Sequence, residues 1–215
     1  MNSQEKLRII NRYSSRLEKY GVHPKTLGWD KERHNLRFQI LLSQWNFNEK
    51  SVLDFGCGFG DLYGYCEKEK ISIKYTGVDI NQDLINKGKL KYKKANLLHK
   101  DIFDSNESNQ FDFAVSSGVH NFKLEDNLSF IKDTFRRLNE LTTKGFAMNF
   151  ISNKVDEEFK KDHVYYTDPK IILDLSYKYS RRVVLRNDYM PFEFTVFVNK
   201  QDKFDSEKVI YTDEL

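Results

Sequence analysis

From Ser51 onward, short apolar runs of strand length alternate with stretches of helical periodicity, and few folds accommodate that pattern. Residues 51–55 read as a strand, 61–70 as a helix and 74–80 as a second strand. Asn81 caps a helix carrying Leu84 and Ile85, and a third strand falls at 97–102. "FDFAVSS" (111–117) is a fourth strand. Residues 124–142 form a long helix, with Leu128, Ile131, Phe135, Leu138 and Leu141 at helical spacing, and "KGFAMNFIS" (144–152) is a fifth strand. Such alternation implies a parallel sheet built from right-handed crossovers and covered on both faces. The end departs from it. Asp168-Pro169 opens a helix to about Tyr179, and "RRVVLRNDYM" and "FEFTVFVNK" then read as two strands of an antiparallel hairpin turning at Pro191. The expected class is therefore α/β, a Rossmann-like doubly wound sheet, mostly parallel with a C-terminal antiparallel hairpin.

Before the alternation, residues 4–20 fit an amphipathic helix with Leu7, Ile10, Tyr13, Leu17 and Tyr20 on one face and Gly21 closing it. Asp30 is placed to cap a second helix running through Trp45, with Leu36, Ile40 and Leu41 inward. The 215 residues suit one domain: cover helices over 1–45, a core over 46–200 and a charged, loosely held tail over 201–215. Net charge is +3 and the charges are mixed. The one basic run, "KGKLKYKK" (87–94), reads as a solvated helix face, so the balance does not point to nucleic acid. Two cysteines, Cys57 and Cys66, make no disulfide framework and read as buried thiols. With no long apolar stretch and no signal-peptide core, the expectation is a soluble cytoplasmic protein without a membrane partner. The closing "TDEL" resembles a retention signal but stands without an export signal.

The stretch "VLDFGCGFGDL" (52–62) sets three glycines within five positions between a strand and a helix. This is where an open α/β sheet binds nucleotides, because glycines let a ligand approach the backbone and face the helix N-terminus. A dinucleotide site wants G-x-G-x-x-G. Gly56, Gly58 and Gly60 follow a different spacing, and Asp61 occupies the third dinucleotide position, where its charge opposes a pyrophosphate. No Gly-Lys-Ser/Thr follows for a triphosphate. Instead, acids end three successive strands: Asp54, Asp79 in "YTGVDIN" and Asp101 in "HKDIFD". A carboxylate at the second strand's tip accepts both hydroxyls of a ribose. Asp101 is placed for an adenine amino group, with Ile80 and Ile102 on either side of the base. Together these are recognition devices for an adenosine without phosphates.

With "VLDFGCGFGDL", "YTGVDIN", "HKDIFD" and "FDFAVSSGVHNF" in order, and a reversed last strand, the chain resembles the class I S-adenosylmethionine-dependent methyltransferases over roughly residues 30–200. The resemblance implies S-adenosylmethionine as cofactor and S-adenosylhomocysteine as product. It places Gly56, Gly58 and Gly60 under the methionine part, Asp54 as the residue orienting the motif, and Asp79 at the ribose. Asp101 and Ile102 go to the adenine, Ser116 to the methionine end, and Arg37 to the methionine carboxylate or else to an ion pair.

Methyl transfer relies on alignment, and a general base is needed only when the acceptor is protonated. The acceptor end is expected past strands four and five, at "SSGVHNF" (116–122) and "NFISN" (149–153). His120 is the base candidate, because a histidine there can titrate near neutrality. Tyr13 and Arg16 are placed to close the pocket from above. His163, Tyr165 and Tyr166 lie in the insert after strand five, and Asp188, Tyr189 and Glu193 on the hairpin rim. The Asn/Asp-Pro-Pro-aromatic motif of amino-methylating enzymes is absent, as are the acids of the metal-dependent type, so no metal is expected. The function expected is methyl transfer to a small molecule, at oxygen. A macromolecular acceptor (RNA or protein) and an inactive cofactor-binding subunit stand as alternatives. Oligomeric state is left open.

Overall fold

The computed structural model describes residues 1–28, 33–104 and 106–212. The proposed cap at Asp30 and all but the first residue of "TDEL" lie outside them. Strands β1 (Lys50–Phe55), β2 (Ile73–Asp79), β3 (Asn96–His99), β4 (Phe111–Ser116), β5 (Thr142–Ile151), β6 (Arg182–Arg186) and β7 (Glu193–Asn199) form one sheet. Their order is β3-β2-β1-β4-β5-β7-β6. The contacts among β1 to β5 are parallel, and β7 runs antiparallel to both β5 and β6. The chain winds outward from β1 in one direction and from β4 in the other. A crevice therefore opens at their C-terminal ends, the switch point where such sheets hold ligands.

Strand alternation divides the core. Leu53, Phe55, Ala114, Phe146, Met148 and Val196 face one layer with α5 (Asn127–Leu141) and α6 (Pro169–Ser176). Val52, Phe113, Val115, Ala147 and Phe197 face the other, with α2 (His34–Leu41), α3 (Asp61–Lys68) and α4 (Gln82–Lys91). The caps at Asn81 and Asp168 form as expected, each accepting from the first turn's backbone N–H groups. The second helix ends earlier than expected. It stops at Leu41, and Trp45 leaves the helical path to stack on Phe113 with ring centroids 4.8 Å apart.

The first helix is α1 (Ser3–Tyr20). Its N-terminus carries a capping box between Asn2 and Glu5, and Gly21 closes it in a positive-φ conformation. Of the expected apolar face, Ile10, Tyr13 and Leu17 are half-buried and Tyr13 lines the crevice, whereas Leu7 (57% exposed) and Tyr20 at the two ends are exposed. The helix lies across the crevice, with Ile9 against the core, and polar groups fasten it there. Buried Glu5 accepts from Glu125 N at 2.9 Å, which with the Asn2 amide holds its carboxyl below the usual range. Asn81 donates to Ile10 O and Ser14 Oγ, and Arg8 donates to Lys123 O. The tail carries some regular structure. Strands β8 (Phe204–Asp205) and β9 (Ile210–Tyr211) form a small hairpin, with Arg181 over Phe204 and Arg182 over Tyr211.

Candidate active site

The crevice holds a cavity of about 270 Å³ under α1 and the turn at Pro24–Leu27. Its floor is the loop after β1. Gly56 and Cys57 donate to Val78 O at 2.9 and 3.1 Å, which bends the chain across β2. Gly56 and Gly58 take φ of +73° and +56°, a region that side-chain-bearing residues rarely adopt. A Cβ on Gly56 would stand 2.2 Å from Val119 Cγ2, and one on Gly58 would stand 2.9 Å from Leu27 Cδ2. The close approach is therefore made partly by the protein's own side chains. Gly60 differs from the expectation. It faces Leu97 in the packing of α3 and is not among the cavity's lining residues.

Asp54, Asp61, Asp79 and Asp101 all line this cavity. Asp79 accepts from Gly58 N (2.9 Å) and Asn81 N (2.8 Å), so two backbone amides fix its carboxylate. Asp54 is 5% exposed and accepts from Tyr75 Oη, at 2.8 Å. Burial pushes the Asp54 carboxyl up to about 7, Tyr75 opposes the shift, and the charges of Asp79 and Asp61 add to it. Burial raises the Asp79 carboxyl as well, against its two amide bonds. Asp61 accepts from Lys91 Nζ and Tyr92 Oη. Asp101 receives Phe103 N on one oxygen and Lys6 Nζ, 2.6 Å away on α1, on the other.

The far end is assembled beyond β4 and β5. Asn149 accepts from Gly118 N and donates to Ser117 Oγ, and Asn121 Oδ1 accepts from Ile151 N. Phe122 pairs with Val164, which brings the insert after β5 against the loop after β4. Arg8 and Arg12 stack on the Phe122 ring at 5.2 and 5.3 Å. His163 lines the cavity here, and its imidazole is held below the ordinary value by burial and by Arg12, Lys161 and Arg16, with Asp162 opposing.

Several expectations need correction. His120 is 1% exposed and absent from the cavity wall. Its ring packs among Phe55, Phe130 and Phe150, and its Nε2 meets Thr134 Oγ1 at 3.1 Å. Burial drives its pKa down to about 3, so it is a neutral core residue and not a base for the cavity. Ser116 and Ile102 also point into the core; Ser117, Gly118 and Phe103 line the cavity in their place. The third strand ends at His99, and the short helical turn Ile102–Asp104 explains why Ile102 turns inward. Tyr165 packs against the core, Tyr166 Oη accepts from Lys161 N in a surface loop, and exposed Asp188 pairs with Arg186. Arg16 holds the Pro24–Leu27 turn by donating to Thr26 O and Lys25 O. Tyr189 Oη bonds Thr195 Oγ1.

Asp54, Gly56, Gly58, Asp79, Ile80, Asp101, Arg37, Tyr13 and His163 do converge on the cavity. Arg37 enters it as part of an ion pair, with Nε donating to Glu193 Oε2 at 2.7 Å and Nη2 to Oε1. Sequence reasoning missed Arg12, Leu27 and Asn81 as site builders, while Asn121 and Asn149 fall within the two stretches expected at the acceptor end. Asn81 follows Asp79, the last residue of β2, by two positions, and that place beside a strand-ending acid was the available signal.

A family model described as a methyltransferase domain matches residues 52–140. The Mycobacterium tuberculosis protein named "Putative methyltransferase Rv1506c" is 31% identical over 156 residues, covering 70% of this chain and 93% of that protein. The chain belongs to the methyltransferase family, as a class I S-adenosylmethionine-dependent member. Among solved structures, the magnesium protoporphyrin IX methyltransferase of Synechocystis PCC 6803, crystallised with S-adenosylhomocysteine, shares the fold. Its TM-score is 0.65 at 13% identity, covering 91% of this chain and 99% of that one. A SAM-dependent methyltransferase from Archaeoglobus fulgidus aligns with a TM-score of 0.62 at 15% identity, over 82% and 97% of the two chains.

Proposed function

We propose that this cavity binds S-adenosylmethionine on its acidic floor and transfers the methyl group to an oxygen of a small molecule held at the far end. The observation that carries the reading is the cluster of Asp54, Asp61, Asp79 and Asp101 around a backbone cradle in one small cavity. The fit is chemical. Lys91 and Lys6 pair with Asp61 and Asp101, whereas Asp54 and Asp79 have no lysine or arginine partner among the described residues, and these two oppose a pyrophosphate and suit a ligand bearing an ammonium and a sulfonium. The raised Asp54 and Asp79 carboxyls mark negative charge crowded in a poorly solvated place, which a cationic ligand relieves.

When bound, the cofactor supplies a methyl on a sulfonium sulfur; the oxygen–carbon bond forms as the carbon–sulfur bond breaks, and its electron pair stays on sulfur. Asp79, pre-oriented by Gly58 N and Asn81 N, would hold the ribose diol, and Asp101 the adenine amino group beside Phe103 and Ile80. Asp54 would face the ammonium side. Helix α1 and Leu27 exclude water from above, and alignment in a dry cavity supplies much of the acceleration. For a hydroxyl acceptor, the proton would leave to His163, which is predominantly neutral at pH 7 and lines the same cavity.

Calorimetry with S-adenosylhomocysteine and NAD, followed by transfer of tritiated methyl into fractionated cell extract, tests the reading. Binding of S-adenosylhomocysteine alone and label in a small product are expected. NAD binding, or label only in RNA or protein, would overturn it.

A further inference from the structure

We propose that the methyl acceptor is a small organic acid, with an apolar body and a carboxylate or phosphate group that docks on Arg12. The inference rests on the proposed division of the cavity into a cofactor floor and an acceptor end. Arg12 lines the cavity from α1, and its guanidinium lies 5.3 Å from the centre of the Phe122 ring. No carboxylate among the described residues pairs with it. Its neighbours are differently placed. Arg8 is committed to Lys123 O, and Arg16 to Thr26 O and Lys25 O. These two and Lys161 supply positive field, and Arg12 is the one positioned to meet a ligand.

Stacking on an aromatic face fixes a guanidinium plane while leaving its N–H edge free, the arrangement that receives a planar carboxylate or a phosphate through two bonds. An unpaired cation against an apolar wall is otherwise unfavourable, because burial weakens its solvation without a compensating partner. The wall is supplied by Ile9, Phe122, Ile151 and Val164, which fit an apolar body. His163 completes the end. Its imidazole is shifted down partly by Arg12, Lys161 and Arg16, so the positive field extends to the place where the acceptor would lie. The cofactor's own carboxylate is a rival occupant of Arg12, and the test separates the two.

Ligand-observed NMR and calorimetry would use benzoate and phenyl phosphate as probes, with benzamide as the neutral control, each with and without saturating S-adenosylhomocysteine. The anionic probes should bind the S-adenosylhomocysteine-loaded protein about tenfold more tightly than benzamide. Arg12→Gln should weaken them by about tenfold or more, and Arg12→Lys should recover only part of that loss, because an ammonium keeps the charge without the planar two-bond contact, with S-adenosylhomocysteine affinity unchanged in both. Equal binding of benzamide, no binding of either anion to the loaded protein, or full anion binding by Arg12→Gln would overturn the proposal. Loss of S-adenosylhomocysteine affinity in Arg12→Gln would give Arg12 to the cofactor and overturn it too. Anion binding that depends on Arg12, in a protein that never binds S-adenosylhomocysteine, would sink the cofactor reading and with it the assignment of the anion as methyl acceptor, leaving only an anion site at Arg12.

Discussion

The floor of the cavity and its far end carry opposite charge and are built in opposite ways. On the floor, Asp79 is fixed by amides two residues ahead and in the adjoining loop, and Asp54 by a tyrosine on the neighbouring strand. The far end brings together Arg12 from α1, Asn121 after β4 and His163 from the insert after β5. Each is far from the others in the chain. A local, backbone-held site is rigid before any ligand arrives, whereas an end made of three separate segments depends on how α1 sits. Glu5, Arg8 and Asn81 fasten that helix, so they govern the acceptor end without touching an acceptor.

The largest effect should come from the floor. Asp79→Ala removes two acceptors for a ribose, each charge-assisted bond being worth roughly 1.5–3 kcal/mol. Calorimetry should show S-adenosylhomocysteine binding about tenfold to a thousandfold weaker, while benzoate binding changes by less than about twofold. Parallel losses of both ligands would mean that the two ends are not independent.

Next in size is His120, which lies beneath the turn carrying Asn121 and belongs to neither end. His120→Ala should cost about 3 kcal/mol in denaturant unfolding, as truncation of a buried ring does. His120→Phe should fold and turn over at close to the wild-type rate. Because its pKa is about 3 in the folded protein and about 6.5 unfolded, stability should fall as pH drops from about 6.5 toward 3. That dependence should vanish in His120→Phe. A large loss of turnover with intact folding would return His120 to the chemistry.

The contrast also explains what could be read from the chain. Strand–helix alternation disclosed the sheet and its reversed strand, because apolar periodicity is set by burial on each face. The acids of the floor were legible because each closes a strand. His120 was not, because the same spacing serves a loop base and a buried ring; only the packing of Phe55, Phe130 and Phe150 decides. Helix α1 was found and Tyr13 on its expected face does turn inward, but Leu7 and Tyr20 at its ends are exposed, since a helix held over a crevice by polar groups need not bury its whole apolar stripe.

Asp54 should impose the opposite pH dependence. Its carboxyl ionises near 7 when folded and near 4 when unfolded, so the folded state holds the proton longer and stability falls as pH rises between those values. Asp54→Asn should remove that slope in melting curves from pH 4 to 8. Tyr75, Cys57, Cys66, Asp61 and Asp79 are ionisable groups that interact with it. Binding of S-adenosylhomocysteine at pH 6.5, measured in buffers of different ionisation enthalpy, should release part of a proton in the wild type and none in the variant. Equal release in both would take Asp54 away from the ammonium.

Tyr13 offers the smallest and most diagnostic change, because it lies on the boundary. Burial and the Asp79 charge raise its phenol, while Arg12 and Arg16 pull it down. It therefore senses the acidic floor from one side and the basic end from the other, and stays protonated at neutral pH. Removing a single neutral hydroxyl costs on the order of 1 kcal/mol or less when water can replace its partner. Tyr13→Phe should thus shift the affinities for S-adenosylhomocysteine and benzoate by less than about threefold each. A loss above about tenfold in one ligand alone would place the phenol in that end and move the boundary between the two.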